Sequence, residues 1–323
     1  MSFVAGLEIS SYIAFIILVI ALAVRFSRYA ALPTPLRWEI YPVPHEEKEK
    51  AERGSSYYED LEWWRAKLVR WLAGELKDTL KEMLFMVRLF YYNRKMWWGS
   101  YLFHGGIYLI LAWFVLLFIG AITELAGLPI SVGMYPFNHP WSILIYVLTL
   151  LTGYVGASAL LAGCIYLLAL RIGVDSYRMY TRTIDYFNIF FILAVVVSGF
   201  VAAYTDPFFT TARAYMKSLI TGGPLTMFVA LPEVSAAISV HLIILEIFLI
   251  YFPFTKMVHG LMKYISYHKI AWDNEPRIPG VRTSLDVKVN KYLNYVMSWE
   301  SPYAIKGHKW AELRSLWPEV KKS

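Results

Sequence analysis

Apolar positions gather in five long runs along the chain, at about 5–24, 101–123, 141–170, 186–204 and 235–258. Each falls within or beyond the roughly 17–25 residues that an α-helix needs to cross the hydrocarbon core of a bilayer. The pattern predicts an all-α integral membrane protein, a five-span transmembrane helix bundle. The first run has no basic segment before it, and Arg25 and Arg28 follow it at once. That flank predicts a retained span rather than a cleaved signal.

Between the runs the pattern changes. Residues 25–60 carry Pro33, Pro35, Pro42 and Pro44, which disfavour helix. From Tyr57 to about Met96 apolar residues return at helical spacing with Lys and Arg between them. This predicts an amphipathic helix leading into the second span, serving as a lipid-surface helix or as a docking platform. The organisation that follows is a first span over 1–24, a connection over 25–100, a four-span core over 101–258 and a C-terminal extension over 259–323.

Charge orients this bundle. Lys and Arg number fourteen in 25–100, three in 171–184 and twelve in 256–323, against two in 205–232 and none in 124–140. Basic connections stay on the cytoplasmic side, so the N-terminus is expected outside and the C-terminus inside, in a multi-pass protein of the cell membrane. The net charge of +7 reflects this asymmetry, with the lipid bilayer as partner and no nucleic acid.

Candidate chemistry then narrows. The single Cys164 cannot supply a cysteine set for an iron–sulfur cluster or a C-x-x-C-H haem attachment. No phosphate-binding loop, dinucleotide-binding glycine pattern or H-E-x-x-H motif is present. Seven histidines remain, and four of them lie at span boundaries. His104 and His259 fall at the inner ends of the second and fifth spans, and His139 and His241 at the outer ends of the third and fifth. His241 and His259 are eighteen residues apart. On a continuous α-helix that is five turns and about 27 Å, on one face. Imidazole is a haem axial ligand, so two histidines from different helices at one depth can hold haem b. A second pair at the other depth would continue an electron path across the membrane. The competing role for each histidine is a hydrogen bond to a backbone carbonyl.

The segment "HLIILEIFLIYFPFTKMVH", from His241 to His259, resembles the last span of the cytochrome b (gamma) subunit of respiratory nitrate reductase, including an FPF-[ST]-[KR]-x-V-H ending. "GSYLFHGGIYLIL", around His104, resembles its second span. The flanking "LRWEIYPVPHE" and "YHKIAWDNEP" resemble more closely the membrane subunit of the Dsr complex and of the Hdr-like menaquinol-oxidising complex of sulfate reducers. The resemblance implies a haem b protein, holding two haems, that exchanges electrons between menaquinol or menaquinone and a cytoplasmic iron–sulfur subunit resembling heterodisulfide reductase. Other membrane and extracytoplasmic subunits of a sulfur-metabolism respiratory complex would complete it.

By position, His104 and His259 match the inner ligands and His241 one outer ligand. The second outer histidine expected ten residues after His104 is Phe114 here, which cannot ligate iron. His139 as a replacement is the favoured reading, against a five-coordinate haem on His241 or no outer haem. The lysine that the family carries near its quinol site is missing as well. Candidates for quinone and proton chemistry near the outer boundary are Glu124, Tyr135, Asn138, His139, Tyr204 and Asp206. Glu246, inside the fifth span, is a candidate proton relay or a buried hydrogen-bond partner. Arg213 and Lys217 outside, and Arg178 and Arg182 inside, are candidates to pair with haem carboxylates. A transporter or channel using boundary histidines without haem is the alternative, and it would predict inverted repeats or broken helices with mid-membrane polar groups.

Overall fold

The computed structural model describes residues 3–31, 72–130, 139–223, 234–262, 284–300 and 305–312. Among these the regular elements are helical, apart from one isolated antiparallel bridge between Val296 and Lys309. The chain forms two compact units, Met1–Arg25 with Thr79–Gly260, and Phe26–Asp78 with Leu261–Ser323.

The first unit holds five helices long and apolar enough to cross a membrane. They are α1 (Phe3–Ala31), α4 (Arg94–Leu125), α5 (Pro140–Gly173), α7 (Thr183–Thr205), which the short α6 (Asp175–Arg178) precedes, and α9 (Ala236–Tyr251) with the turn that extends it to Phe254. The protein is a multi-pass membrane protein, and its exposed faces carry Ile13, Phe15, Ile16, Val19, Leu111, Val115, Val147 and Val201. Such a surface would be unstable in water and is ordinary against lipid.

Local sequence sets the helix ends. Asn93 accepts a hydrogen bond from the Met96 amide to start α4, and Asp185 accepts from the Arg182 amide at the start of α7. Ser235 caps α9 through the Ile238 amide, and Pro140 occupies the first turn of α5. The amphipathic stretch expected as one helix is divided into α2 (Leu72–Phe85), α3 (Val87–Tyr92) and α4. The breaks fall at Met86, whose φ is 47°, and at Asn93. Its part before residue 72 lies outside the described residues.

Packing is closest between α4 and α5, and glycine is the reason. A Cβ on Gly106 would lie 2.5 Å from the Leu160 amide nitrogen, and one on Gly163 would lie 2.5 Å from that of Phe103. Gly156 meets Leu109 in the same way at 2.8 Å. Small residues let membrane helices approach where no water is available to drive them together. α5 then packs on α7, and α7 on α9. Leu160, Cys164, Leu167, Leu168, Ile189, Ile192 and Val196 form the core between α5 and α7. α4 and α9 are not close-packed neighbours in this series, which runs α4–α5–α7–α9.

The short helix α8 (Thr210–Ile220) joins α7 to α9 and packs on α4. α1 lies alongside α9. Ser11 reaches Glu246, and Arg25 donates to the carbonyls of Pro253 and Thr255 at 2.7 and 2.6 Å. The direction of these contacts makes α1 and α9 parallel, as the first and fifth of five alternating spans must be.

In the second unit, α10 (Ser284–Leu293) precedes the bridged turn. The Met297 amide donates to His308 O, and the Gly307 amide returns to Met297 O, at 2.9 and 3.0 Å. Gly307 has φ +90°, the left-handed conformation that glycine adopts without steric cost. Trp299 and Trp310 pack edge to face across the turn.

Candidate haem and quinone sites

His104 stands on α4 and His259 beyond the end of α9, and the fold brings their rings together at a centroid distance of 6.0 Å with planes at 81°. The route to His259 differs from the continuous five-turn helix expected between His241 and His259. Helix α9 stops at Tyr251, and two tight turns follow, Phe252–Phe254 and Lys256–Val258. Between them Thr255 is extended, with ψ 174°. Pro253 has no amide to continue the ladder. The Arg25 guanidinium takes up the carbonyls of Pro253 and Thr255, the kind of substitute partner that broken helices in membranes require.

Both rings are held by the nitrogen that a metal would not use. His104 Nδ1 donates to Ser100 O at 2.8 Å and His259 Nδ1 to Lys256 O at 3.0 Å. A carbonyl can only accept, so Nδ1 carries the proton and Nε2 is the lone-pair nitrogen of each neutral ring. This backbone-anchored tautomer is the usual state of a metal-ligating histidine. Two imidazoles bonded to one metal at about 2.0–2.1 Å would have ring centres about 6.3 Å apart, close to the separation seen. Among the described residues no group of three or more His, Cys, Asp or Glu could hold a metal ion. Two ligands fit a metal that brings its own equatorial set, as haem does. The residues present therefore fit haem b between α4 and the end of α9.

The histidines of the other end stand apart. His241 is half-buried against α7, its Nδ1 3.0 Å from Ser198 Oγ, and a Cβ on Gly199 would lie 3.3 Å from its Cε1. His139 is exposed and precedes Pro140 at the start of α5, with no side-chain cap bond. Among the described residues no ring contact joins His139 to His241. Phe114 is 47% exposed on α4.

The outer polar candidates separate by role. Arg213 is fully buried at 1% exposure, and its Nε donates to Glu124 Oε1 at 2.9 Å while Lys217 Nζ meets Glu124 Oε2 at 2.7 Å. Arg213 also donates to Ile130 O. Glu124 thus ties α4 to α8 through both cations. Asp206 accepts from the Thr210, Thr211 and Ala212 amides and from Thr210 Oγ1, capping α8. Tyr204 is 89% exposed. Tyr135 and Asn138 lie outside the described residues. At the end that carries His104 and His259, Arg178 pairs with Asp175 at 2.5 Å, and Lys256 pairs with Asp185. Burial, and then the nearness of Arg182 and Arg171, lowers the Lys256 pKa.

Glu246 is buried, and Ser11 on α1 donates to it at 2.5 Å. Ser11 in turn meets Tyr215, and Ser218 donates to Glu8; these four residues sequence reasoning passed over. A signal for Glu8 was present, as the sole charged residue in the first apolar run.

A multi-span helical bundle that brings together two backbone-anchored histidines, one on α4 and one beyond the end of α9, has the construction of a membrane cytochrome. The family model of the nitrate reductase gamma subunit matches residues 88–273, more than half of the chain, and the chain belongs to that family. The family is a membrane cytochrome b, the haem-bearing electron-transfer subunit of a redox enzyme complex, and it binds haem b and interacts with quinone. No curated protein and no solved structure matches the chain.

Proposed function

We propose that this chain is the cytochrome b of a menaquinol-linked respiratory complex of sulfur metabolism. It would exchange electrons with a cytoplasmic iron–sulfur partner resembling heterodisulfide reductase. The observation that carries the reading is the His104–His259 pair, 6.0 Å apart with both Nδ1 atoms bound to backbone carbonyls. These two residues hold the inner haem, and the excess of Lys and Arg in the connections at their end of the bundle makes that end cytoplasmic. His241, oriented by Ser198 and backed by Gly199, supplies a ligand to a second haem at the outer end, with His139 as its partner. When bound, haem b supplies one-electron redox chemistry. The chain itself contributes ligation, orientation and exclusion of water.

The sulfur-metabolism assignment is supported by the segments around Trp38 and Trp272, which lie outside the described residues. The experiment is a reduced-minus-oxidised spectrum of the purified chain with haem stoichiometry, before and after addition of menadiol. Expected are a b-type spectrum with two haems per chain, reduction by menadiol, loss of one haem in His259→Ala and loss of the other in His241→Ala. A chain with no b-type absorbance would overturn the reading, and one haem per chain would remove the outer site.

A further inference from the structure

Two carboxylates are buried on the side of the bundle built by α1, α8 and α9. Glu8 is 3% exposed and Glu246 8% exposed. Among the described residues neither has a cationic partner, since the cations of α8, Arg213 and Lys217, are both committed to Glu124. Hydroxyl groups serve them instead. Ser11 Oγ lies 2.5 Å from Glu246 Oε1 and 3.0 Å from Tyr215 Oη. Ser218 donates to Glu8. Gly223, at φ +48°, closes over the Glu8 carboxylate, and a Cβ there would meet Glu8 Cδ at 3.3 Å. Tyr12 donates to Leu219 O at 2.5 Å and holds α8 against α1.

A charge buried without a cation is costly, and hydroxyl partners offset this only in part. Such a group is an exchange point for a proton rather than an ion-pair member. The hydroxyl of Ser11 has one proton and stands between two oxygens. With Glu246 ionised, Tyr215 donates to Ser11 and Ser11 to Glu246. With Glu246 protonated, the acid can donate to Ser11 and Ser11 to Tyr215. A proton therefore passes between Glu246 and the far side of Tyr215 while the heavy atoms stay in place. Tyr215 keeps its own proton over the working range. Burial raises its pKa first, the bond to Ser11 opposes this, and Glu246, Glu8 and Tyr12 add to the rise. These four titratable groups are the ones that meet here, from all three elements.

We propose that Glu246, Ser11 and Tyr215, with Glu8 and Ser218 beside them, form the proton-transfer path for quinone chemistry at the His241 end of the bundle. The proposal rests on the quinol reading above. Oxidation of a hydroquinone to its quinone breaks two O–H bonds and releases two protons and two electrons. Bound haem would accept the electrons one at a time and pass them on to the cytoplasmic iron–sulfur partner proposed above. Each proton would form an O–H bond on the Glu246 carboxylate and then pass through Ser11 and Tyr215 to water beyond them, which restores the carboxylate. This role falls to Glu246 because Glu124 is ion-paired and Asp206 is a helix cap.

The test uses the haem-loaded chain and menadiol, comparing Tyr215→Phe, Ser11→Ala, Ser11→Thr and Glu246→Gln. Tyr215→Phe and Ser11→Ala should reduce their haem roughly 100-fold more slowly, the low end for a positioned proton-transfer group. Haem content and spectrum should be unchanged, and Ser11→Thr should recover most of the rate. A second readout needs no turnover. The infrared carboxylic-acid band of Glu246, identified by its loss in Glu246→Gln, should shift in heavy water quickly in the unmodified chain and slowly in Tyr215→Phe. Wild-type rates in Tyr215→Phe and Ser11→Ala, or exchange indifferent to Tyr215, would overturn the path. Failure of menadiol to reduce the unmodified chain would sink the quinol reading instead, and the infrared exchange would still decide the path.

Discussion

Gly105 and Gly106 are adjacent, equivalent by composition and opposite in environment. A Cβ on Gly105 would have no protein atom within 4 Å, whereas one on Gly106 would lie 2.5 Å from Leu160 N and 2.7 Å from its Cα. Non-bonded atoms settle at about 3.5–4.0 Å, so Gly106→Ala forces α4 and α5 about 1 Å apart. The obstructing atoms are backbone and cannot rotate away. Overpacking of this kind costs about 1–3 kcal/mol. Both substitutions gain helix propensity, about 0.8–1 kcal/mol for removing a helical glycine. The difference between them therefore isolates the clash. His104 is two residues away, so the displacement also disturbs its separation from His259. The assay is haem content and thermal loss of the b-type absorbance in each variant. Gly105→Ala should match or exceed the unmodified chain. Gly106→Ala should melt lower than Gly105→Ala by the equivalent of about 1–3 kcal/mol and retain less haem. Equal melting and equal haem in the two variants would refute the close-packing account of α4 and α5.

Further outcomes follow from the same contacts. Arg213→Met removes the buried guanidinium from Glu124 and Ile130 O, and because Lys217 still pairs with Glu124 the cost should stay below the about 3–5 kcal/mol of leaving a buried charge unpaired. Adding Glu124→Gln should restore part of this, as a double-mutant cycle by thermal melting would measure. Asp206→Ala strips the cap from α8 and should destabilise by about 1–2 kcal/mol, while haem spectra at the His104–His259 end stay unchanged. In the C-terminal turn, the bond from the Lys309 amide lowers the Glu312 pKa, with His308 adding to it. A depressed carboxylate stabilises above its unfolded value and loses that contribution as pH falls through its folded value. The protection of the Lys309 amide relative to its intrinsic exchange rate at each pH should accordingly fall on acidification, and Glu312→Gln should remove that pH dependence of protection.

The membrane spans were legible because hydrophobicity is summed over about 20 residues and survives local irregularity. The predicted 141–170 became Pro140–Gly173, and 186–204 became Thr183–Thr205. The fifth span was read too regularly. A single proline in an apolar run does not reveal where the ladder will break, and the break depends on Arg25 being present on another helix to satisfy the freed carbonyls. The amphipathic segment was misjudged for a related reason, since the turns at Met86 and Asn93 carry no glycine or proline to announce them. Among the site residues, His104, His259 and Glu246 stood out as polar groups in apolar surroundings. Their partners did not, because serine and tyrosine are common in spans without special meaning.

By itself the sequence determined the solvent and the cast. Five apolar runs require a bilayer, charge asymmetry suggests which way the bundle faces, and boundary histidines nominate a haem. Both are properties of composition and spacing, and they hold whatever the helices later touch. Tertiary structure decided the pairings. It brought the ring of His104 on α4 to within 6.0 Å of that of His259 beyond the end of α9. It also committed Arg213, Lys217 and Asp206 to structural bonds, and joined Ser11 to Glu246 across 235 residues of chain. Hydrogen bonds and close contacts depend on ångström-scale positions that the packing of glycine-faced helices fixes, and no local pattern in the chain encodes them.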